Sequence, residues 1–241
     1  MTFTGQTVLV TGAASGIGKA TARAFAAEGA KVVLADLSDT AMTAEEISAD
    51  GGKAVSMTCD VADARSVDDL FAGIGALDVV ANCAGILLDG RITDMPVEAF
   101  DRQIAVNLRG SFLIAQGAVR ALRDRGAGRI VLIASELAHL GRAGASAYCA
   151  SKAGVIGLTR ALARECAPQI LVNAVAPGPV DTPMLDVANM TAHEISMETS
   201  NPLGRIGQPE EVASAILFLA GPGGTLMTGQ TICPSGGAVM L

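Results

Sequence analysis

Short continuous runs of β-branched and other apolar residues recur along the chain. They lie at Thr7–Val10, Lys31–Ala35, Ala54–Thr58, Leu77–Ala81, Ile130–Ala134, Ile170–Val175 and Gln230–Cys233. Between them, helical stretches are expected near Ile17–Glu28, Thr40–Ala49, Ser66–Gly73, Val97–Arg123, Ser146–Cys166 and Glu210–Leu219. The punctuation agrees with these bounds: Gly29 follows the first helix, and Pro209 opens the last with Glu210 and Glu211 in its first turn. Proline is tolerated at that position, and carboxylates there complement the helix dipole. Strands that are apolar on both faces and alternate with helices predict an α/β fold with a parallel sheet covered on both sides. No Pro/Ser/Gln-rich or charge-dense stretch divides the chain, so one domain is expected. In such sheets ligands bind beyond the carboxyl ends of the strands, which directs attention to the loops that follow them.

The first of these loops is Thr11-Gly12-Ala13-Ala14-Ser15-Gly16-Ile17-Gly18, between a strand and a helix. Glycines there permit a tight turn and bring main-chain N–H groups at the helix start toward a pyrophosphate. The spacing is G-x-x-x-G-x-G, wider than G-x-G-x-x-G, and no Gly-Lys-Ser/Thr ends it as a Walker loop would. The next strand ends at Asp36, whose carboxylate can accept the hydroxyls of an adenosine ribose and repel a 2′-phosphate. Ser15 and Leu37 stand where a cation would serve NADP, and Lys19 lies inside the helix. NAD is therefore expected in preference to NADP. Asp36 as a cap of the following turn is the alternative.

Composition narrows the partners. The 241 residues are 50% hydrophobic and only 3% aromatic, with a mean hydropathy of +0.45, enough for a sizeable core. A net charge of −7 argues against nucleic acid or an anionic membrane surface as the main partner. No apolar run approaches the ~20 residues needed to span a bilayer, and Met1–Gln6 lacks the basic start of a signal peptide. Cys59, Cys83, Cys149, Cys166 and Cys233 are odd in number and include no C-x-x-C pair. Reduced thiols in a cytoplasmic protein are expected, with neither a disulfide framework nor a zinc or other metal site.

The single tyrosine of the chain, Tyr148, stands four residues before Lys152 in a helical stretch. Residues at that spacing share a face, so a phenol and an ammonium can meet in one site. A free phenol, with a pKa of ~10, is a poor base at neutral pH. A lysine about 5 Å away at an effective dielectric of ~20 stabilises the phenolate by roughly 3 kcal/mol, or about two pKa units. That pairing would suit alcohol oxidation, which needs a base for the hydroxyl proton. Hydrolysis by a Ser-His-acid triad is not supported, because no G-x-S-x-G elbow exists and only His139 and His193 are present.

Taken together, these motifs resemble the short-chain dehydrogenase/reductase family over nearly the whole chain. Thr11–Gly18, with Gly12, Ser15, Gly16, Ile17 and Gly18, is similar to the family's cofactor loop. Asp60-Val61 resembles its adenine-contacting pair. Asn82-Cys83-Ala84-Gly85 resembles Asn-Asn-Ala-Gly, with Cys83 in place of the second Asn. Pro177-Gly178-Pro179-Val180-Asp181-Thr182 resembles the segment that lines the nicotinamide. Asn107, Ser135, Tyr148 and Lys152 fall where the family has its catalytic tetrad. The resemblance implies a Rossmann-like doubly wound parallel sheet of seven strands, with a cofactor half about 1–105 and a catalytic half about 106–241. It also implies hydride transfer between NAD(P) and a secondary alcohol or ketone. Ser135 would hold the substrate oxygen against Tyr148, or else cap a turn. Asn107 would hold a water that links Lys152 to solvent, or else bond a neighbouring backbone group. An NADP-dependent 3-oxoacyl thioester reductase and a non-catalytic dinucleotide sensor are the alternative functions. Cys233-Pro234-Ser235-Gly236-Gly237 departs from the family's Val-Asp-Gly-Gly.

The substrate wall is expected from Leu87–Pro96, Glu136–Ala147 and Met184–Asn201. The last lacks an apolar period and reads as a lid, while Glu136–Gly141 reads as loop. Glu136, His139 and Arg142 suit a polar substrate; Met184, Leu185 and Met190 an apolar one. Residues Val212–Leu241 carry no Asp, Glu, Lys or Arg, which predicts burial against another subunit of a homotetramer, or coverage within one subunit.

Overall fold

A computed structural model describes residues 1–240. Seven strands form one parallel sheet: β1 (Thr7–Thr11), β2 (Lys31–Asp36), β3 (Lys53–Thr58), β4 (Val79–Asn82), β5 (Gly128–Ile133), β6 (Ile170–Val175) and β7 (Thr231–Ile232). Their order is β3-β2-β1-β4-β5-β6-β7. The chain therefore winds outward one way from β1 and then, after crossing to β4, the other way. The carboxyl ends of β1 and β4 diverge at that switch, where a crevice for a ligand opens.

The alternation of side chains along each strand feeds two cores. Val8, Val10, Val32, Leu34 and Val131 face one side, packed with Phe25 of α1 (Gly16–Ala27) and Ile216 and Leu219 of α9 (Pro209–Ala220). Leu9, Val33, Val80, Ile130, Leu132 and Val172 face the other. Ile114 and Leu122 of α5 (Gly110–Arg123) and Val155 and Ile156 of α7 (Ser146–Cys166) cover them. The shorter α2 (Ala41–Ala49) and α3 (Ala64–Gly73) complete the two layers around the β1–β3 half. All of these strands and helices match the expected alternation, and the doubly wound single-domain fold is as anticipated.

Three segments differ from the sequence expectation. The stretch Val97–Arg123 is not one α-helix: α4 (Val97–Gln103) passes into a π-helical turn at Ile104–Arg109 before α5 begins. Hydrogen bonds from the Asn107 side chain to other segments hold that turn. A short helix, α6 (Leu137–Leu140), occupies the stretch expected to be loop. The lid segment contains a 3-10 turn at Val187–Asn189 and a helix, α8 (Ala192–Glu198). None of the α8 residues is buried, which is why it shows no apolar period; a capping box between Thr191 and Glu194 starts it.

The uncharged C-terminal stretch divides. Val212, Ala213, Ile216, Leu219 and Ala220 are buried against the sheet within the subunit, whereas Phe218 and Leu226 are 48% and 98% exposed. Among the described residues no helix is long and apolar enough to cross a membrane.

Candidate active site

The loop after β1 is shaped for close backbone approach. Gly12 has a φ of +68°, and a Cβ there would stand 2.9 Å from the Ala84 backbone nitrogen. A Cβ on Gly18 would stand 2.0 Å from the Gly12 carbonyl oxygen. No side chain is compatible with either position, so β1, the β4 turn and α1 meet through bare backbone. They bound a cleft of about 260 Å³ lined by Gly12, Ser15, Gly16, Ile17, Gly18, Asp36, Asp60, Val61, Ala84, Gly85 and Thr182, among others. An elongated dinucleotide with a phosphate centre fits a cleft whose glycine loop leaves main-chain groups uncovered.

At the outer end, Asp36 is fixed by its own backbone environment. One carboxylate oxygen accepts from Ala14 N–H at 3.0 Å, the other from Ser38 N–H at 2.9 Å. The turn-capping role is therefore real, and it leaves lone pairs on both carboxylate oxygens unused. Lys19 is bound to Glu46 at 2.7 Å and supplies no free cation to this end. Asp60 accepts from Ala62 N–H at 2.9 Å, which sets the turn that presents Val61.

Of the residues expected to hold the cofactor, Asn82, Pro177, Gly178 and Val180 do not line this cleft. Asn82 is buried; its amide oxygen accepts from Thr11 Oγ1 at 2.7 Å and its amide nitrogen donates to Ser111 Oγ at 2.9 Å. Thr11 Oγ1 accepts in turn from Ala84 N–H at 3.1 Å. Asn82 therefore braces the turn from within. The Pro177 carbonyl accepts from Glu136 N–H at 2.9 Å, Gly178 N–H donates to the Pro234 carbonyl at 3.1 Å, and Val180 bridges to Gly207. Removal from water pushes the Cys83 thiol up to about 12, so it stands as a neutral thiol.

At the inner end the tetrad positions converge. Tyr148 and Lys152 share a face of α7, with Lys152 Nζ 5.7 Å from the Tyr148 ring centroid. Lys152 is buried and Nζ donates to the Ile133 carbonyl of β5 at 2.8 Å. A Cβ on Gly85, a cleft residue, would lie 3.4 Å from Lys152 Nζ and 3.3 Å from Asn107 Oδ1. Ser135, just past β5, lies close enough to the Tyr148 phenol to favour its ionised form, and its Oγ accepts from Leu137 N–H at 3.2 Å.

The electrostatics correct one expectation. Burial raises the Tyr148 pKa, and Ser135 and the Arg142 charge only partly oppose this. Lys152 does not deliver the expected lowering: its ammonium lies over the ring face, donates to Ile133, and is itself held down to about 8 by burial. In the protein without cofactor, desolvation wins over the pairing.

Asn107 spends its side chain inside the protein. Its Oδ1 accepts from Ile86 N–H at 2.8 Å, and its amide nitrogen donates to the Ile86 carbonyl at 2.9 Å and to Ser151 Oγ at 3.1 Å. Its carbonyl accepts from Ser111 Oγ at 2.6 Å. Sequence reasoning overlooked Ser151, which passes the connection on by donating to the Tyr148 carbonyl at 2.7 Å. It also overlooked Gln103, fully buried, whose amide clamps both the N–H and the carbonyl of Leu88. Neither carries a motif; only the fold brings them in.

The three expected wall segments are tied together by Arg142, which bonds Asp89 at 3.2 Å and Glu198 of α8 at 3.0 Å. The far end of the lid is held by the C-terminal turn: Leu203 N–H donates to the Gly236 carbonyl at 3.1 Å. Cβ atoms on Gly236 and Gly237 would meet Asn201 Oδ1 at 2.5 Å and Pro202 at 2.9 Å.

Comparison with known proteins agrees with this geometry. The family described as enoyl-(acyl carrier protein) reductase matches residues 12–239. The 3-oxoacyl-(acyl-carrier-protein) reductase of Thermotoga maritima is 41% identical over 247 residues, covering 100% of both chains. A solved short-chain type dehydrogenase/reductase from Mycobacterium marinum superposes with a TM-score of 0.92 at 38% identity, covering 100% of this chain and 98% of that one. A structure from Agrobacterium tumefaciens, described as a 2-deoxy-D-gluconate 3-dehydrogenase with bound NADP, gives 0.93 at 34% identity, covering 98% and 96%. With its seven-stranded sheet, its glycine loop and these relatives, the chain belongs to the short-chain dehydrogenase/reductase family of oxidoreductases.

Proposed function

We propose that the chain interconverts a secondary alcohol and its ketone with NAD(H), Tyr148 acting as general acid and base. The observation that carries this reading is Lys152, set beside both the Tyr148 ring and the cleft residue Gly85. A bound nicotinamide supplies the hydride acceptor or donor. The chain's residues supply the proton chemistry and the positioning. Ser135 holds the substrate oxygen against the phenol, Tyr148 takes or gives its proton, and Lys152 stabilises the phenolate once a cationic ring adds to its field. Asn107 keeps the Ile86 and Ser151 neighbourhood in register around Lys152. The cofactor half about 1–105 carries the dinucleotide and the half about 106–241 the substrate.

Asp36 supports NAD: its carboxylate is fixed by two backbone N–H groups and Lys19 is engaged elsewhere. The exposed Phe218 and Leu226 support a homotetramer, and the unpaired thiols fit a reducing cytoplasm. A second reading, NADP-dependent reduction of a 3-oxoacyl thioester, is favoured by the Thermotoga relative and by the NADP in the Agrobacterium structure. The test is a panel of secondary alcohols, ketones and 3-oxoacyl thioesters with each cofactor, followed by NADH or NADPH absorbance. Tight NAD binding without turnover of any member would leave a dinucleotide sensor instead.

A further inference from the structure

Thr43 and Glu46 stand three residues apart on α2 and share the face turned to the glycine loop and α1. Thr43 is buried, and its Oγ1 donates to the Ala13 carbonyl at 3.1 Å. One turn on, Glu46 Oε1 accepts from Lys19 Nζ at 2.7 Å. The second Glu46 oxygen is shut off from water and lies 3.5 Å from Arg23 Nη1, whose guanidinium also bonds Asp50 at 3.1 Å. Helix α2 thus grips the loop at one residue and takes Lys19 at the next.

Lys19 follows Ser15 by one helical turn, and its backbone N–H donates to the Ser15 carbonyl at 3.0 Å. Ser15 and Asp36 both line the cleft, and the Ala14 N–H beside Ser15 is bonded to the Asp36 carboxylate. Side chains on a helix lean toward its N-terminus, so Lys19 is aimed back over the turn that carries Ser15. A four-carbon stem spans one turn, ~5.4 Å. Without Glu46, the ammonium would have the Ser15–Asp36 end of the cleft within its range.

We infer that Glu46 is a selectivity residue that acts through Lys19, capturing its ammonium and so withholding a countercharge from the 2′-phosphate of NADP. NAD carries a hydroxyl at that position and loses little by the capture. The Lys19 and Glu46 side chains are 29% and 34% exposed, so solvent screens the pair and the effect is modest and salt-sensitive. This inference rests on the reading of Asp36 as the ribose end of an NAD site.

The test is calorimetry of NAD and of NADP with the wild type and a set of variants. Glu46→Ala should lower the NADP dissociation constant about 3- to 10-fold and leave that for NAD within about twofold. Glu46→Gln, which removes the charge and keeps the volume, should move it in the same direction. Adding Lys19→Met to Glu46→Ala should cancel the gain, and Lys19→Met alone should leave NADP binding as in the wild type. Glu45→Ala, which deletes the neighbouring exposed acid, should change neither constant. An unchanged NADP constant in both Glu46 variants, or a gain that survives Lys19→Met, overturns the inference. So does an equal gain in Glu45→Ala, or weaker NADP binding in Lys19→Met alone. A wild type that binds NADP more tightly than NAD sinks the NAD reading, while a Lys19-dependent gain in Glu46→Ala still sustains the inference. Binding of neither dinucleotide sinks the two together.

Discussion

Lys152 Nζ donates to the main-chain carbonyl of Ile133 at 2.8 Å, tying helix α7 to the strand that leads into Ser135. One buried hydrogen bond thus ties the helix that carries Tyr148 to the strand that ends before Ser135, the two groups proposed to share the substrate oxygen. The same burial makes the ammonium costly. Its pKa is held down to about 8 from an ordinary 10.5.

That cost predicts an unusual stability profile for Lys152→Met. A depressed lysine pKa means the unfolded chain binds more protons between about pH 8 and 10.5, so the wild type gains stability as pH rises through that window. Below it the wild type bears the full penalty, on the order of 3 kcal/mol, less about 1 kcal/mol for the bond to Ile133. Lys152→Met should therefore be about 2 kcal/mol more stable than wild type near neutrality and lose that advantage toward alkaline pH. Urea denaturation across pH measures this; a variant less stable at neutral pH contradicts the burial argument.

Tyr148→Phe removes the proposed proton carrier while leaving the ring packing intact. Activity should fall by a factor of about 10³ or more, with cofactor affinity changed by only a few-fold. Steady-state kinetics alongside NAD titration separates the two effects. A variant that keeps full activity would show the proton passing elsewhere.

Asp36→Ala should weaken discrimination against NADP. Loss of a carboxylate that repels a 2′-phosphate should raise the NADP-to-NAD ratio of kcat/KM by about tenfold or more. The variant should also lose about 1–2 kcal/mol of stability, because Ala14 and Ser38 N–H groups lose their acceptor. An unchanged ratio would remove Asp36 from the ribose site.

Phe218→Glu and Leu226→Glu place charge on exposed apolar positions of the otherwise uncharged C-terminal stretch. If these side chains lie between subunits, sedimentation should show the wild type as a tetramer and the variants as smaller species. A wild type that is monomeric at micromolar concentration ends the interface proposal.

The sequence made some parts of this molecule legible and hid others for physical reasons. The strands were visible because burial on both faces demands unbroken apolar runs, as in Val32–Ala35. The Thr11–Gly18 loop was visible because no other residue type satisfies its contacts. The π-helical turn around Asn107 was hidden, since apolar periodicity runs through it and the side chain that stabilises it bonds a distant loop. Helix α8 was hidden because it buries nothing; the Thr191–Glu194 capping box was its one local signal. Lys152 was read as a partner for Tyr148, but its desolvation depends on β5, which only the tertiary structure brings near.

Gly236 and Gly237 give the lid a second owner. With no room for a side chain against Asn201 and Pro202, the last turn of the described chain packs directly on the end of the proposed lid. The proposed substrate wall is thereby anchored at two places, at Arg142 and at the C-terminal turn. A side chain at either glycine would press on Asn201 or Pro202, so the end of the proposed lid answers to the C-terminal turn as well as to the Arg142 pairings.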